Sequence, residues 1–162
     1  MSNDYITEET AKFTLAVSGA RIFNDYNKFQ TQLLQYLKDY HSDNLPSKMV
    51  AGGAYGADTL AKKFATERKI EFLELKPEWA KHGKKAGILR NKDIVDAATH
   101  VIAFPKGVSS GTRHAIAYAK EKNKPVVVYE QELPDLPATI TNILQNSKQN
   151  ELQHSNSFQS SS

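Results

Sequence analysis

The sequence contains no cysteine. Disulfides, thiolate nucleophiles and cysteine-ligated zinc are thereby excluded, and the absence fits a reducing compartment. No apolar run approaches the ~20 residues that span a bilayer. The opening residues, Met-Ser-Asn-Asp-Tyr, lack the pattern of a secretion signal. A cytoplasmic protein with no membrane partner is therefore expected. Several chemical signatures are missing too. There is no His-Glu-x-x-His, no Gly-x-Ser-x-Gly and no pair of carboxylates at metal spacing, so no metal site is expected. Neither Gly-x-x-x-x-Gly-Lys-Ser/Thr nor Gly-x-Gly-x-x-Gly occurs, which removes the standard P-loop and the ordinary dinucleotide fingerprint.

What is present is ordinary in bulk and uneven in detail. A chain of 162 residues, 40% hydrophobic and 24% charged, can bury one proper core. The net charge of +3 is not spread evenly. Residues 130–162 carry four acids and one base, Lys148, which leaves twenty bases against fourteen acids, a net +6, on residues 1–129. A mildly basic body suits an anionic small ligand. It is too modest to point to nucleic acid, which is not expected as a partner.

Short apolar runs alternate with helix-patterned segments. Phe13 to Val17, Lys48 to Ala51, Ile70 to Leu75, His100 to Phe104 and Pro125 to Tyr129 read as strands. Between them, Tyr26, Phe29, Leu33, Leu34 and Leu37 keep helical spacing behind the N-cap candidates Asn24 and Asp25. Further helices are expected over 57–68, 86–98 and 111–122, and 76–85 is rich in Lys, Pro and Gly. The strands are continuous in their apolar character, as in a parallel sheet covered on both faces. An α/β fold of about five mostly parallel strands, with helices on both faces, follows. Residues 1–11 are polar and expected to be flexible, 12–146 to form one domain, and 147–162 to be a disordered polar tail. A short helix is expected over 139–145, with Ile140, Ile143 and Leu144 docking on the body.

In such a sheet, right-handed crossovers bring the loops after the strands to one edge, where ligands bind. Three of these loops carry unusual residues. Ser18, Gly19 and Arg21 follow the first strand. Gly52, Gly53, Gly56 and Asp58 follow the second. Ser109, Ser110, Gly111 and Thr112 follow the fourth. Glycines and hydroxyls at a helix start suit a phosphate, although turn geometry and capping use the same residue types. Asp58 suits either a helix cap or a ribose hydroxyl. Arg21 and Arg90 offer planar forks for phosphate or carboxylate, with Asn91 beside Arg90. Arg113 ranks below them, being one residue inside its helix. Trp79 is the stacking candidate for a base, with Tyr55 and Phe104 as alternates. His82 and His114 are general-base candidates without an evident partner.

These motifs, in this order, resemble the SLOG superfamily, and within it the YspA-type, YpsA-related group. Ser18-Gly19-Ala20-Arg21 is similar to the family's Gly-Ser-Arg, with alanine for the serine. Gly52 to Asp58 matches Gly-Gly-Ala-x-Gly-Ala-Asp. Trp79 precedes Gly83-Lys84-Lys85-Ala86-Gly87-Ile88-Leu89-Arg90-Asn91, and Ser109-Ser110-Gly111-Thr112 resembles Ser-x-Gly-Thr. The resemblance runs from about Phe13 to Val128. It implies a Rossmann-like three-layer sandwich that binds nucleotides or NAD- and ADP-ribose-like ligands, as a sensor or sequestering module, and it implies a homodimer. It also brings in the LOG phosphoribohydrolases, whose motif ends in a glutamate. Here that position is Ala115, so hydrolysis would need another carboxylate, Asp58 or Glu78. The main expectation is ligand binding by Ser18, Gly19, Arg21, Gly52, Gly53, Gly56, Asp58, Arg90, Asn91, Ser110, Gly111 and Thr112, with Trp79 on the base. A nucleoside-monophosphate N-glycosidase and a nucleic-acid-binding or host-modulating factor are the alternatives.

Overall fold

In a computed structural model, which describes residues 12–133 and Ile143, the chain divides into two units, Met1–Glu132 and Leu133–Ser162. The first unit contains a five-stranded parallel sheet in the order β3-β2-β1-β4-β5. The strands are β1 (Thr14–Gly19), β2 (Lys48–Ala51), β3 (Glu71–Glu74), β4 (His100–Phe104) and β5 (Val126–Val128). Helix α1 (Tyr26–His41) joins β1 to β2, and α2 (Ala57–Glu67) joins β2 to β3. A four-residue helix, α3 (Trp79–His82), a 3-10 turn (Gly83–Lys85) and α4 (Ala86–Asp96) lead to β4, and α5 (Ser110–Glu121) leads to β5. Within the Lys-, Pro- and Gly-rich 76–85 segment, residues from Trp79 onward are therefore helical. The expected N-terminal flexibility, the boundary at 146, the tail, and Ile140 and Leu144 lie outside the described residues. Ile143 is helical and 58% exposed.

The two-residue period of the strands sorts the sheet's side chains into two layers. Leu15, Val17, Met49, Ala51, Ile102 and Phe104 pack on one side with Phe29, Leu33, Tyr36 and Leu37 of α1 and Leu60, Ala61 and Phe64 of α2. Ala16, Val50 and Val101 pack on the other with Ile94 and Val95 of α4 and Ala115 and Ala119 of α5. The first layer is built on rings, with Phe29 and Phe104 4.9 Å apart between centroids and Phe23 against both. The second is built on alanine, valine and Ile94, with no ring among its fully packed residues. Leu34, expected on the buried face of α1, is 39% exposed, and Tyr36 fills the core instead. Its hydroxyl meets His41 Nε2 at 2.9 Å. Tyrosine can bury its ring here because its one polar atom has a partner.

Local chemistry fixes the element ends. Asp25, not Asn24, caps α1 by accepting from the Lys28 N–H at 3.1 Å. The carboxyl end of α4 is held from outside the helix. The Lys124 ammonium donates to the carbonyls of Val95, Asp96 and Ala98 at 2.7, 3.0 and 2.7 Å. A cation at that end satisfies carbonyls that have no partner within the helix and complements its dipole. It also ties the start of β5 to α4. Lys124→Met is expected to lower the unfolding free energy by about 1–2 kcal/mol, measured by urea denaturation. An exposed Lys120→Met should leave it within about 0.5 kcal/mol of wild type.

Candidate functional site

Strand β1 is the turning point of the sheet: β2 pairs on one side of it and β4 on the other. The crossovers from β1 and from β4 leave in opposite directions, so their loops part at the carboxyl edge and leave a crevice. A cleft of about 670 Å³ lies there, within the usual range for a small-molecule site. Its walls come from the β1–α1 turn, α2, the 3-10 turn, α4, the β4–α5 loop and the start of α5.

The first wall depends on two close approaches. At Gly19, a Cβ would stand 2.3 Å from the Cβ of Ala57. At Gly56, φ is +85°, and a Cβ would stand 2.3 Å from the carbonyl oxygen of Ala20. Glycine at both points lets the start of α2 press on the β1–α1 turn, where the Ala57 N–H donates to the Ala20 carbonyl at 3.2 Å. Ala20 in turn donates its N–H to the Phe104 carbonyl at 3.0 Å, which fastens the turn to β4. Ser18, Gly19, Ala20, Arg21 and Ile22 line the cleft from this wall.

Asp58 enters the same cleft from the first turn of α2. It is not the helix cap, which is Gly56. Its Oδ2 reaches back to accept from the Ala54 N–H at 3.2 Å, and Thr59 Oγ1 donates to the Ala54 carbonyl at 3.2 Å. The Ala54 peptide is thus held on both sides. Burial pushes the Asp58 carboxyl up to about 6, against the Ala54 hydrogen bond and the charges of Arg90 and Arg21, with Glu74 adding to the rise.

Arg90 stands on α4 with its guanidinium over Gly52. A Cβ there would fall 2.4 Å from Nη1. Burial holds Arg90 below the usual arginine value, while Asp58 opposes the shift. Arg90 Nε donates to Asn91 Oδ1 at 3.0 Å, and Asn91 Nδ2 donates to the Gly111 carbonyl at 3.4 Å. This pair links α4 to the start of α5.

The opposite wall is the β4–α5 loop. Ser109 has φ +41° and closes the loop on itself, accepting from the Lys106 N–H at 2.9 Å and donating to the Lys106 carbonyl at 2.7 Å. Its side chain is spent there, so no side chain caps α5. Arg113 holds the loop from outside, donating to the carbonyls of Val108 and Gly107 and to Glu130. The N-terminal N–H groups of α5, from Ser110 to Thr112, therefore open on the cleft with the positive end of the helix dipole. Four cations line the cleft, Arg21, Lys84, Arg90 and Lys106, against a single carboxylate, Asp58.

The structure brings together most of the residues expected from the sequence: Ser18, Gly19, Arg21, Asp58, Arg90, Asn91, Ser110, Gly111 and Thr112 all line the cleft. Gly52, Gly53 and Gly56 do not. Their glycine character answers to Arg90, Glu74 and the Ala20–Arg21 backbone, and two N–H groups of the segment, at Ala54 and Ala57, are already used internally. Trp79 is 56% exposed and outside the lining, with its ring beside Gly87. Tyr55 is 85% exposed and Phe104 fully buried. Glu78 and His82 line a separate hollow of about 240 Å³, and His114 lines neither. Arg113 is occupied by the loop. Ala115, at the LOG glutamate position, is buried against the sheet. Lys84 and Lys106 are the cations that the sequence reading missed. Their signal was adjacency: each sits in a segment that already carried a motif. Among the described residues, no three histidine, aspartate or glutamate side chains gather as a metal would need, and no helix is long and apolar enough to cross a membrane.

Comparisons with known proteins agree with this architecture. A family model described as the YspA, cpYpsA-related SLOG family matches residues 13–82. The Gene 61 protein of Mycobacterium phage D29 is 37% identical over 117 residues, covering 68% of this chain and 91% of the phage protein. Among solved structures, DNA processing protein A from Helicobacter pylori, described for its single-stranded DNA binding mode, superposes with a TM-score of 0.54 at 20% identity. The superposition covers 82% of this chain and 72% of that one.

The raised Asp58 carboxyl makes a prediction about stability. The folded state holds that proton more tightly than the unfolded state, between the ordinary 3.8 and about 6. Stability from this group is full below that window and lost as pH rises through it. Asp58→Asn should therefore gain on wild type between about pH 4 and pH 7, by on the order of 1–2 kcal/mol. Denaturant unfolding at the two pH values checks it, and a difference that does not vary with pH contradicts it.

Proposed function

The chain belongs to the YspA, cpYpsA-related SLOG family, and we propose on that premise that its cleft binds a phosphorylated nucleotide or nucleotide-derived ligand of the NAD or ADP-ribose kind. The observation that carries this reading is the charge of the cleft. Four cations and an uncapped helix N-terminus face one carboxylate at the switch point of a parallel sheet. Phosphate oxygens take the place that a capping side chain leaves open on α5, with Arg21 and Lys106 offsetting the charge. Arg90 is set by Gly52 and Asn91, so little of its freedom remains to be lost on binding.

Holding rather than transforming the ligand is the role we assign, as a sensor or sequestering module. Asp58 is the one carboxylate in the lining, and the position that carries a catalytic glutamate in phosphoribohydrolases is a buried alanine. A second reading has specific support. The fold resembles a protein described as binding single-stranded DNA, and the same cations would suit a nucleic-acid backbone.

Isothermal titration against AMP, ADP, NAD and ADP-ribose at physiological salt separates the two. At least one of these should bind at micromolar level, and Arg21→Ala should weaken it by about tenfold. Absence of heat for all of them contradicts the first reading. Anisotropy of a labelled oligothymidylate tests the second: steeply salt-dependent binding that nucleotides do not displace would favour it.

A further inference from the structure

We propose that Asp58 reads the sugar of the bound ligand, accepting hydrogen bonds from ribose hydroxyls, so that the cleft takes ribonucleotide-type molecules over their 2′-deoxy counterparts. The inference rests on the nucleotide reading above and specifies its ligand class.

A carboxylate in a cationic cleft is the one place a phosphate is repelled. It is also the one place where hydroxyl donors are preferred over anions, because an ionised carboxylate can only accept. Asp58 therefore divides the cleft by chemistry. Phosphate goes to the N–H groups of α5, and neutral donors go to α2.

The carboxylate is also little used within the protein. Its Oδ2 takes one hydrogen bond, from Ala54 N–H, and Oδ1 accepts none from the described residues. An ionised carboxyl has room for about four. Two vicinal hydroxyls fit within that remaining capacity, and an acidic side chain holds ribose hydroxyls in other nucleotide sites of parallel sheets. Removal of the 2′-hydroxyl leaves a polar group unpaired in a partly buried site, which is how such sites reject an analogue.

Closing the 54–58 segment does not require a charge. An asparagine could accept the same Ala54 N–H, and Thr59 holds the other side of that peptide. Burial has raised the carboxyl toward neutral pH, so the fold keeps a charge here at some cost to itself. The charged groups that face Asp58 are Arg21 from the β1–α1 turn, Glu74 from β3 and Arg90 from α4. Glu74 is in turn near Lys62 at 3.8 Å and Lys76 at 3.5 Å. The two arginines favour the ionised form of Asp58, and Glu74 opposes it.

The test is titration of wild type and Asp58→Asn with AMP and 2′-deoxy-AMP, at about pH 8 and about pH 5. Both ligands carry the same phosphate, which itself titrates near pH 6, so the ratio of their affinities isolates the sugar. Wild type should prefer AMP by about tenfold at the higher pH. That preference should fall toward unity at the lower pH, as Asp58 is protonated below about 6. Asp58→Asn removes a charge that repels the phosphate of both ligands alike, so their common affinity should rise while the preference between them shrinks to within about threefold. Equal affinities in wild type, or a preference that Asp58→Asn leaves unchanged, overturns the proposal while the nucleotide reading stands. If neither ligand binds wild type, nor does ADP-ribose, both fall together.

Discussion

The site depends on a steric constraint: the start of α2 must touch the turn after β1. Gly19 and Gly56 allow it, because a Cβ at either would stand 2.3 Å from a neighbouring atom. The contact is completed by the Ala57 N–H on the Ala20 carbonyl, while the Ala20 N–H rests on Phe104. Three segments from β1, α2 and β4 are thereby locked at the carboxyl edge. Asp58 is delivered into the cleft by this contact, two residues after the glycine that makes it possible.

The rest of the site follows from how the loops use up their own polar groups. Ser109 closes its loop with its only hydroxyl and leaves α5 without a side-chain cap. Arg113 is consumed in holding the same loop. Asn91 joins Arg90 to α5. What is left for a ligand lines one cleft: the first residues of α5, the cations Arg21, Lys84, Arg90 and Lys106, and Asp58. A site of this kind is a set of deficits that the protein keeps open and a ligand can fill.

Much of this was legible in the sequence. The five apolar runs became five parallel strands, and the switch point sat where loops with Ser, Gly and Arg had gathered. The Gly52–Asp58 stretch was legible as a place of close approach, but not as to what approaches. From the sequence, three glycines suggest an exposed phosphate cradle. In the structure the guests are internal: the Arg90 guanidinium at Gly52 and the Ala20–Arg21 backbone at Gly56. Glycine spacing carries no information on whether the close neighbour is a ligand or another part of the chain. Trp79, expected to stack on a base, stands exposed outside the cleft lining, and the sequence could not place it for a related reason. A lone aromatic in a polar segment has no periodicity to say which way it faces. The missed Lys84 and Lys106 show the converse, since a flexible cation gains its meaning from the wall it stands in.

The central claim is that the cleft between the β1 turn and the start of α5 binds an anionic nucleotide-type ligand. Backbone amide chemical shifts of the labelled protein, followed during titration with ADP-ribose, test it most directly. The account predicts the largest changes at Ser110, Gly111 and Thr112 and at Gly19 to Ile22, with little at the far end of the sheet around His41 and His100. Changes centred away from the cleft, or absent at those amides while the ligand binds, would contradict it.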